Sequence, residues 1–191
     1  MTREYSPLTL SPLAASSRVA ELPFPRVTLD DAAFEVMTDL KQVPAATTAA
    51  DEPIEEARRV MMRRGVRLLF VIDASGAVEG VITATDLLGE KPVRFRQERG
   101  VAHSEIRVGD IMTPAALLEA INFQDVASMR VGHVVATMRA VRRQHLMVAE
   151  DGGRRVRGLF SATRIARQLG VDLNTTEVAR TFADIEAALA R

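Results

Sequence analysis

One nine-residue segment occurs twice, and that repetition limits what this chain can fold into more than any other feature. Gly80-Val-Ile-Thr-Ala-Thr-Asp-Leu-Leu88 returns as Gly158-Leu-Phe-Ser-Ala-Thr-Arg-Ile-Ala166. Upstream, Arg67-Leu-Leu-Phe-Val-Ile-Asp73 is matched by Gln144-His-Leu-Met-Val-Ala-Glu150. The second copy carries one extra residue between Glu150 and Gly158, in a stretch that reads as a hairpin loop, where insertions are tolerated. Two copies of this length are too few for a solenoid. They point to an internal duplication folded into one compact body.

Each copy of the segment reads as the end of a strand running into a helix. Val81 and Ile82 are β-branched and apolar, as a buried strand requires. Thr83 can cap the following helix, and Asp86 three residues later completes the spacing of a capping box. The same spacing suits a nucleotide. A helix start offers free N–H groups and partial positive charge to a phosphate, and a carboxylate in the first turn can accept two hydrogen bonds from a ribose diol. The residues alone leave both readings open for Thr83 and Asp86. In the second copy Ser161 and Thr163 keep the hydroxyls, while Arg164 replaces the carboxylate.

Met-Thr precedes each copy, as Val36-Met37-Thr38 and as Asp110-Ile-Met-Thr-Pro114. With Gly65-Val-Arg-Leu-Leu-Phe-Val-Ile-Asp73 and the Gly-Val-Ile-Thr-x-x-Asp-Leu segment, these motifs resemble, in order and twice, a tandem pair of cystathionine-β-synthase (CBS) domains, a Bateman module. The resemblance covers roughly residues 36–170. It implies an α+β fold of two β-α-β-β-α repeats packed with pseudo-twofold symmetry, and adenosine nucleotides bound in clefts between the repeats. An irregular N-terminal arm is expected over 1–27, repeat one over 28–92, a linker over 93–104, repeat two over 105–171 and a C-terminal helix over 172–191.

By the same resemblance, site one comprises Thr83, Ala84, Thr85 and Asp86, with Thr47, Thr48, Arg67, Leu68, Leu69 and Phe70 around the base. Asp86 would take the ribose diol, and Thr83, Thr85 and the helix start would take phosphate. Site two comprises His145, Ser161, Thr163 and Arg164. With Arg164 in the ribose position it is either empty or lends Arg164 to phosphates of a ligand in site one. The segment 44–50, Pro-Ala-Ala-Thr-Thr-Ala-Ala, stands where the family has its adenine-lining strand, with small residues in place of valines.

Composition excludes several alternatives. Of 191 residues, 25 are Lys or Arg and 25 are Asp or Glu, so no net charge draws the chain to nucleic acid or to a membrane surface. Cysteine is absent, which removes disulfides, thiolate metal sites and a cysteine nucleophile and suits a cytoplasmic protein. No apolar run reaches membrane-spanning length, and the N-terminus lacks a signal-peptide pattern. His103, His133 and His145 have no second ligand at metal spacing, and no phosphate-binding loop or catalytic motif is present. No enzyme, metal or resident cofactor is expected. The expected function is a stand-alone regulatory module that senses AMP, ADP or ATP and signals to a protein partner, against an interaction module whose clefts no longer bind nucleotide.

Further expectations follow along the chain. The prolines of the arm predict an irregular segment that Leu8, Leu10, Leu22 and Phe24 could pin to the core. Ile54, Ala57, Val60 and Met61 recur at helical spacing, as do Val134, Val135 and Met138. Their apolar faces suit a homodimer paired through helices. Residues 89–104 read as a charged, solvated crossover. Val178, Phe182, Ile185 and Leu189 form one stripe of a terminal helix, which covers either this chain's core or a partner.

Overall fold

A computed structural model describes residues 8–18 and 26–171. The predicted C-terminal helix and parts of the N-terminal arm lie outside the described residues. In chain order the elements are β1 (Thr38–Asp39), β2 (Thr47–Thr48), α1 (Ile54–Arg64), β3 (Leu68–Ile72), β4 (Val78–Thr83), α2 (Ala84–Leu88), α3 (Glu90–Arg99), α4 (Val108–Ile111), β5 (Thr113–Pro114), β6 (Ala120–Asn122), α5 (Phe123–Val126), α6 (Val131–Val141), β7 (His145–Glu150), β8 (Arg155–Ser161) and α7 (Ala162–Gln168). They form a mixed α+β body with two four-stranded sheets, ordered β2-β3-β4-β5 and β1-β8-β7-β6.

The repeats exchange edges. The Met-Thr strand ahead of repeat one, β1, pairs with β8 of repeat two, Thr38 opposite Leu159 and Asp39 opposite Gly158. Its counterpart β5 pairs with β4 of repeat one, Pro114 opposite Gly80. This explains the two repeated glycines. A Cβ at Gly80 would stand 2.4 Å from the Thr113 carbonyl oxygen, and one at Gly158 would stand 2.7 Å from that of Thr38. Only glycine admits the incoming strand at that distance.

Asp39 holds the exchanged strand β1 in place. Its carboxylate takes both terminal nitrogens of Arg157 on β8. Arg157, 11% exposed, also lies 3.5 Å from Glu150 and 4.7 Å from the centre of the Phe123 ring. The planar guanidinium suits this double duty, since its edge meets the carboxylates and its face meets the ring.

β3 is buried on both faces because each face has its own cover. Leu69 and Val71 pack with Ile82, Ile54, Ala57 and Met61 on the helix side. Leu68 and Phe70 turn the other way and meet Val81 and Met147 between the repeats. The second sheet builds a matching helix-side core around Phe160, Val134, Met138 and Ile165. Of the α1 and α6 faces expected to pair two chains, Ile54, Ala57, Met61, Val134 and Met138 are buried inside one chain, while Val60 and Val135 are only partly covered.

Three local expectations change. The first strand shrinks from 44–50 to Thr47–Thr48, because small residues offer few contacts to hold a longer one. The crossover is helical: Pro92 sits in the first turn of α3 and Gly100, at φ 67°, ends it, the start and stop pattern of a helix. The arm residues Leu8 and Leu10 are exposed and do not anchor it. The extra residue of the second hairpin falls in a 3-10 turn at Asp151–Gly153.

Candidate functional site

Two clefts open where the helix starts of α2 and α7 meet the other repeat. The first, of about 350 Å³, is lined by Thr83, Thr85 and Asp86 of repeat one, and by Leu118, Glu119, Arg142, Arg143, His145 and Met147 of repeat two. The second, of about 890 Å³, is lined by Ser161, Thr163, Arg164 and Arg167 of repeat two, and by Pro44 to Ala46, Arg64, Arg67, Leu68 and Phe70 of repeat one. The pseudo-twofold relation is visible in the walls: each cleft joins the helix start of one repeat to the helix–strand corner of the other.

That cross-pairing regroups the residues expected at site one. Thr83, Thr85 and Asp86 stay together, and Leu68 reaches their cleft. Arg67 and Phe70 line the opposite cleft, with Arg164. Thr47 lines a third cavity, of about 920 Å³, near the hairpin turns. Thr48 lines none of the three. Leu69 is fully buried in the helix-side core, because alternation along β3 turns it away from its neighbours Leu68 and Phe70. Ala84 is half-buried and packs against that same core. At site two, His145, Ser161, Thr163 and Arg164 do come together. Arg164 therefore belongs to its own cleft and not to the walls of Asp86's.

Asp86 is heavily engaged. Its Oδ2 accepts from the Thr83 amide at 2.8 Å and from Thr83 Oγ1 at 2.7 Å, and its own amide donates to Thr83 Oγ1 at 3.2 Å. Thr83 and Asp86 form a true capping box. Oδ1 pairs with Lys91 Nζ at 2.7 Å, and Lys91 is fixed in turn by the Ile111 carbonyl at 3.0 Å. A carboxylate offers about four acceptor positions. Three are taken, leaving one on Oδ1 for a further donor.

Across the cleft, Arg142 adopts φ 54° at the end of α6. The matching position after α1 is Gly65, at φ 63°. Glycine takes this left-handed conformation freely, whereas arginine incurs about 1–2 kcal/mol there. Strain of that kind collects at functional positions. Neighbouring Arg143 is paired with Glu119 at 3.1 Å.

His145 stands between the two clefts and lines both, as does Leu68, its counterpart in repeat one. Burial chiefly, and the nearby Arg67 charge with it, depress the His145 pKa from 6.5 to about 4, against the opposite pull of Asp86. The imidazole is therefore neutral at neutral pH. The unfolded chain takes up this proton first as pH falls, so stability is lost between about 6.5 and 4. His145→Leu, which copies the residue at position 68, should flatten the decline in melting temperature between pH 7 and 5. An unchanged slope would show that His145 is not the responsible group.

Lys91, Arg142, Arg64 and Arg167 were not among the expected site residues. The duplication carried a usable signal: the residues flanking Gly65 and Arg142 hold equivalent places at the corners that face the opposite helix starts. Among the described residues, no group of His, Asp and Glu is placed to hold a metal ion.

Comparison with known proteins agrees with this geometry. Residues 27–92 match the family model of the CBS domain. A conserved protein of Pyrococcus horikoshii shares the fold at TM-score 0.56 and 24% identity, over 78% of this chain and all of that one. A CBS-domain-containing protein of Agrobacterium tumefaciens matches at TM-score 0.52 and 22% identity, over 68% of this chain and 88% of that one. CBSX2, a CBS-pair protein of Arabidopsis thaliana solved in complex with AMP, matches at 0.52 and 18%, over 72% of this chain and 94% of that one. No curated protein matches the sequence. Residues 27–92 thus match a CBS domain, and the described body shares its fold with these solved structures. Its edge strands are exchanged between the two repeats.

Proposed function

We propose that this chain is a regulatory module that binds an adenosine nucleotide, AMP, ADP or ATP, in the cleft of Asp86. The nucleotide-bound state would pass to a protein partner as a conformational change. The observation that carries this reading is the opposition of Asp86 and Arg142 across one cleft. The free acceptor position on Asp86 Oδ1 suits a ribose hydroxyl, and the left-handed Arg142 suits a phosphate. AMP in the structure of CBSX2, a protein of the same fold, supports the choice of ligand class. We assign the cleft a binding role and no catalytic one. Balanced charge argues against nucleic acid and membrane surfaces as partners, and among the described residues no helix is long and apolar enough to cross a membrane.

Thermal shift with AMP, ADP and ATP tests the proposal, because a ligand selective for the folded state raises the melting temperature. A rise with at least one nucleotide is expected. A second reading rests on the same carboxylate. With three of its four acceptor positions filled inside the chain, Asp86 could serve as a helix cap alone, in an interaction module with non-binding clefts. No shift with any nucleotide would favour that reading. A homodimer belongs to the proposal too, through a surface that the core leaves open, since most of the apolar residues of α1 and α6 are buried. Met62, Leu88 and Val93, exposed on α1, α2 and α3, offer one, and a light-scattering mass at micromolar concentration tests it.

A further inference from the structure

The second cleft has an electrostatic character that the first does not share. Arg64, Arg67, Arg164 and Arg167 all line it, and no Asp or Glu does. Among the described residues none of these four arginines has a carboxylate partner. Outside it, Arg58 is paired with Glu55, Arg59 with Glu56, Arg143 with Glu119 and Arg157 with Asp39. The Nε of Arg67 is buried with no hydrogen-bond acceptor. Ser161 starts α7 without capping it, so its hydroxyl is uncommitted. Four like charges around one concavity repel one another. They are retained at a cost to stability, which an anion seated among them would relieve.

We infer that this cleft is an anion site that takes a short polyphosphate chain, inorganic or carried by a nucleotide, held by charge and paired guanidinium donors rather than through a ribose. Three features define that class. Guanidinium groups offer the forked donors that match phosphate oxygens. Arg164 stands where the sister cleft has Asp86, so no carboxylate is present to accept from a ribose diol. The cleft's volume of about 890 Å³ lies within the range of small-molecule pockets, and its arginines converge on one concavity, which suits a compact anion better than an extended polymer. His145 on the shared wall would register the occupant: burial chiefly holds the imidazole neutral, and an anion beside Arg67 offsets the charge that adds to that effect. This site is independent of a nucleotide at Asp86.

The probe is inorganic tripolyphosphate, titrated calorimetrically into the whole chain at about 50 mM and about 300 mM salt, a range over which screening between exposed charges rises steeply. One bound tripolyphosphate per chain is expected, weaker at high salt. Arg164→Ala should weaken it at least tenfold, and the Arg67→Gln change comparably. Asp86→Ala should leave it unchanged, and adenosine should not displace it. By nuclear magnetic resonance, the His145 titration should move upward when tripolyphosphate is bound. ATP titrated into Asp86→Ala separates the two sources of the ligand: affinity equal to that of tripolyphosphate supports a site that reads the phosphate chain alone. ATP binding there at least tenfold more tightly would overturn that claim. Absence of tripolyphosphate binding at low salt, or equal binding by the Arg164→Ala and Arg167→Ala double variant, would overturn the site itself. Both of those arginines are exposed, so this variant keeps the core intact. Failure of nucleotide binding through Asp86 would leave these results unaffected.

Discussion

Replacing Arg157 by alanine should lower the melting temperature by roughly 6–12 °C. The side chain is 11% exposed and faces two carboxylates that are themselves largely enclosed, Asp39 at 17% and Glu150 at 15%. Removing one partner of a buried pair leaves charge without compensation, and such losses run at about 3–5 kcal/mol. Lys41 and Arg155 remain near Glu150, at 3.3 Å and 3.4 Å, which places the effect near 3 kcal/mol, the lower end of that range. For a chain of this length each kcal/mol moves the midpoint by about 2–4 °C. Arg157→Lys should recover only part of the loss, because an ammonium cannot span Asp39 bidentately or lie flat on Phe123. A melting temperature within about 2 °C of the parent, less than one kcal/mol on that scale, would mean that the exchanged strand β1 is held by its backbone pairing alone.

Asp86→Ala should weaken nucleotide binding roughly tenfold to a hundredfold. One acceptor position on Oδ1 is open, so one ribose hydroxyl bond is at stake, and a hydrogen bond to a charged group contributes about 1.5–3 kcal/mol. The variant also loses the capping box, at about 1 kcal/mol of stability, so its fold is checked by thermal melting before titration. Lys91→Met is the informative companion. It frees a second position on Oδ1, and roughly threefold tighter binding is expected if the ribose presents both hydroxyls, within the range of one neutral hydrogen bond. Wild-type affinity in Asp86→Ala would identify Thr83 and Asp86 as a helix cap only.

Much of the fold was readable because the duplication repeats landmarks with a physical cause. The Gly80 and Gly158 pair, the apolar runs of β3 and β7 and the Met-Thr strands all serve a repeated geometry. The capping box was equally readable, since it is encoded within four residues. What escaped was long-range. Nothing local in Met37-Thr38 shows that it pairs with residues some 120 positions later. Arg67 and Arg164 lie far apart in sequence, and only the crossing of the repeats places them in one cleft. Lys91 as the partner of Asp86 depends on residues 89–104 being a helix; Pro92 and Gly100 signalled that helix, but the run of charges masked it. The loss of Leu69 from the site is different: strict alternation along β3 already required it to face away from Leu68 and Phe70.

The exchanged edges also bear on how the chain is made. Repeat one cannot complete its sheet from its own residues, because the last strand, β5, is Thr113–Pro114. Residues 27–92, the span matched as a single CBS domain, end before that strand exists. During synthesis the β4 edge would stand open until β5 emerges, and β1 would wait still longer for β8. Open edges of this kind are templates for pairing with other chains, and contacts of such wide sequence separation form slowly. A cut at the boundary drawn between the repeats by sequence would therefore take an edge strand from each sheet.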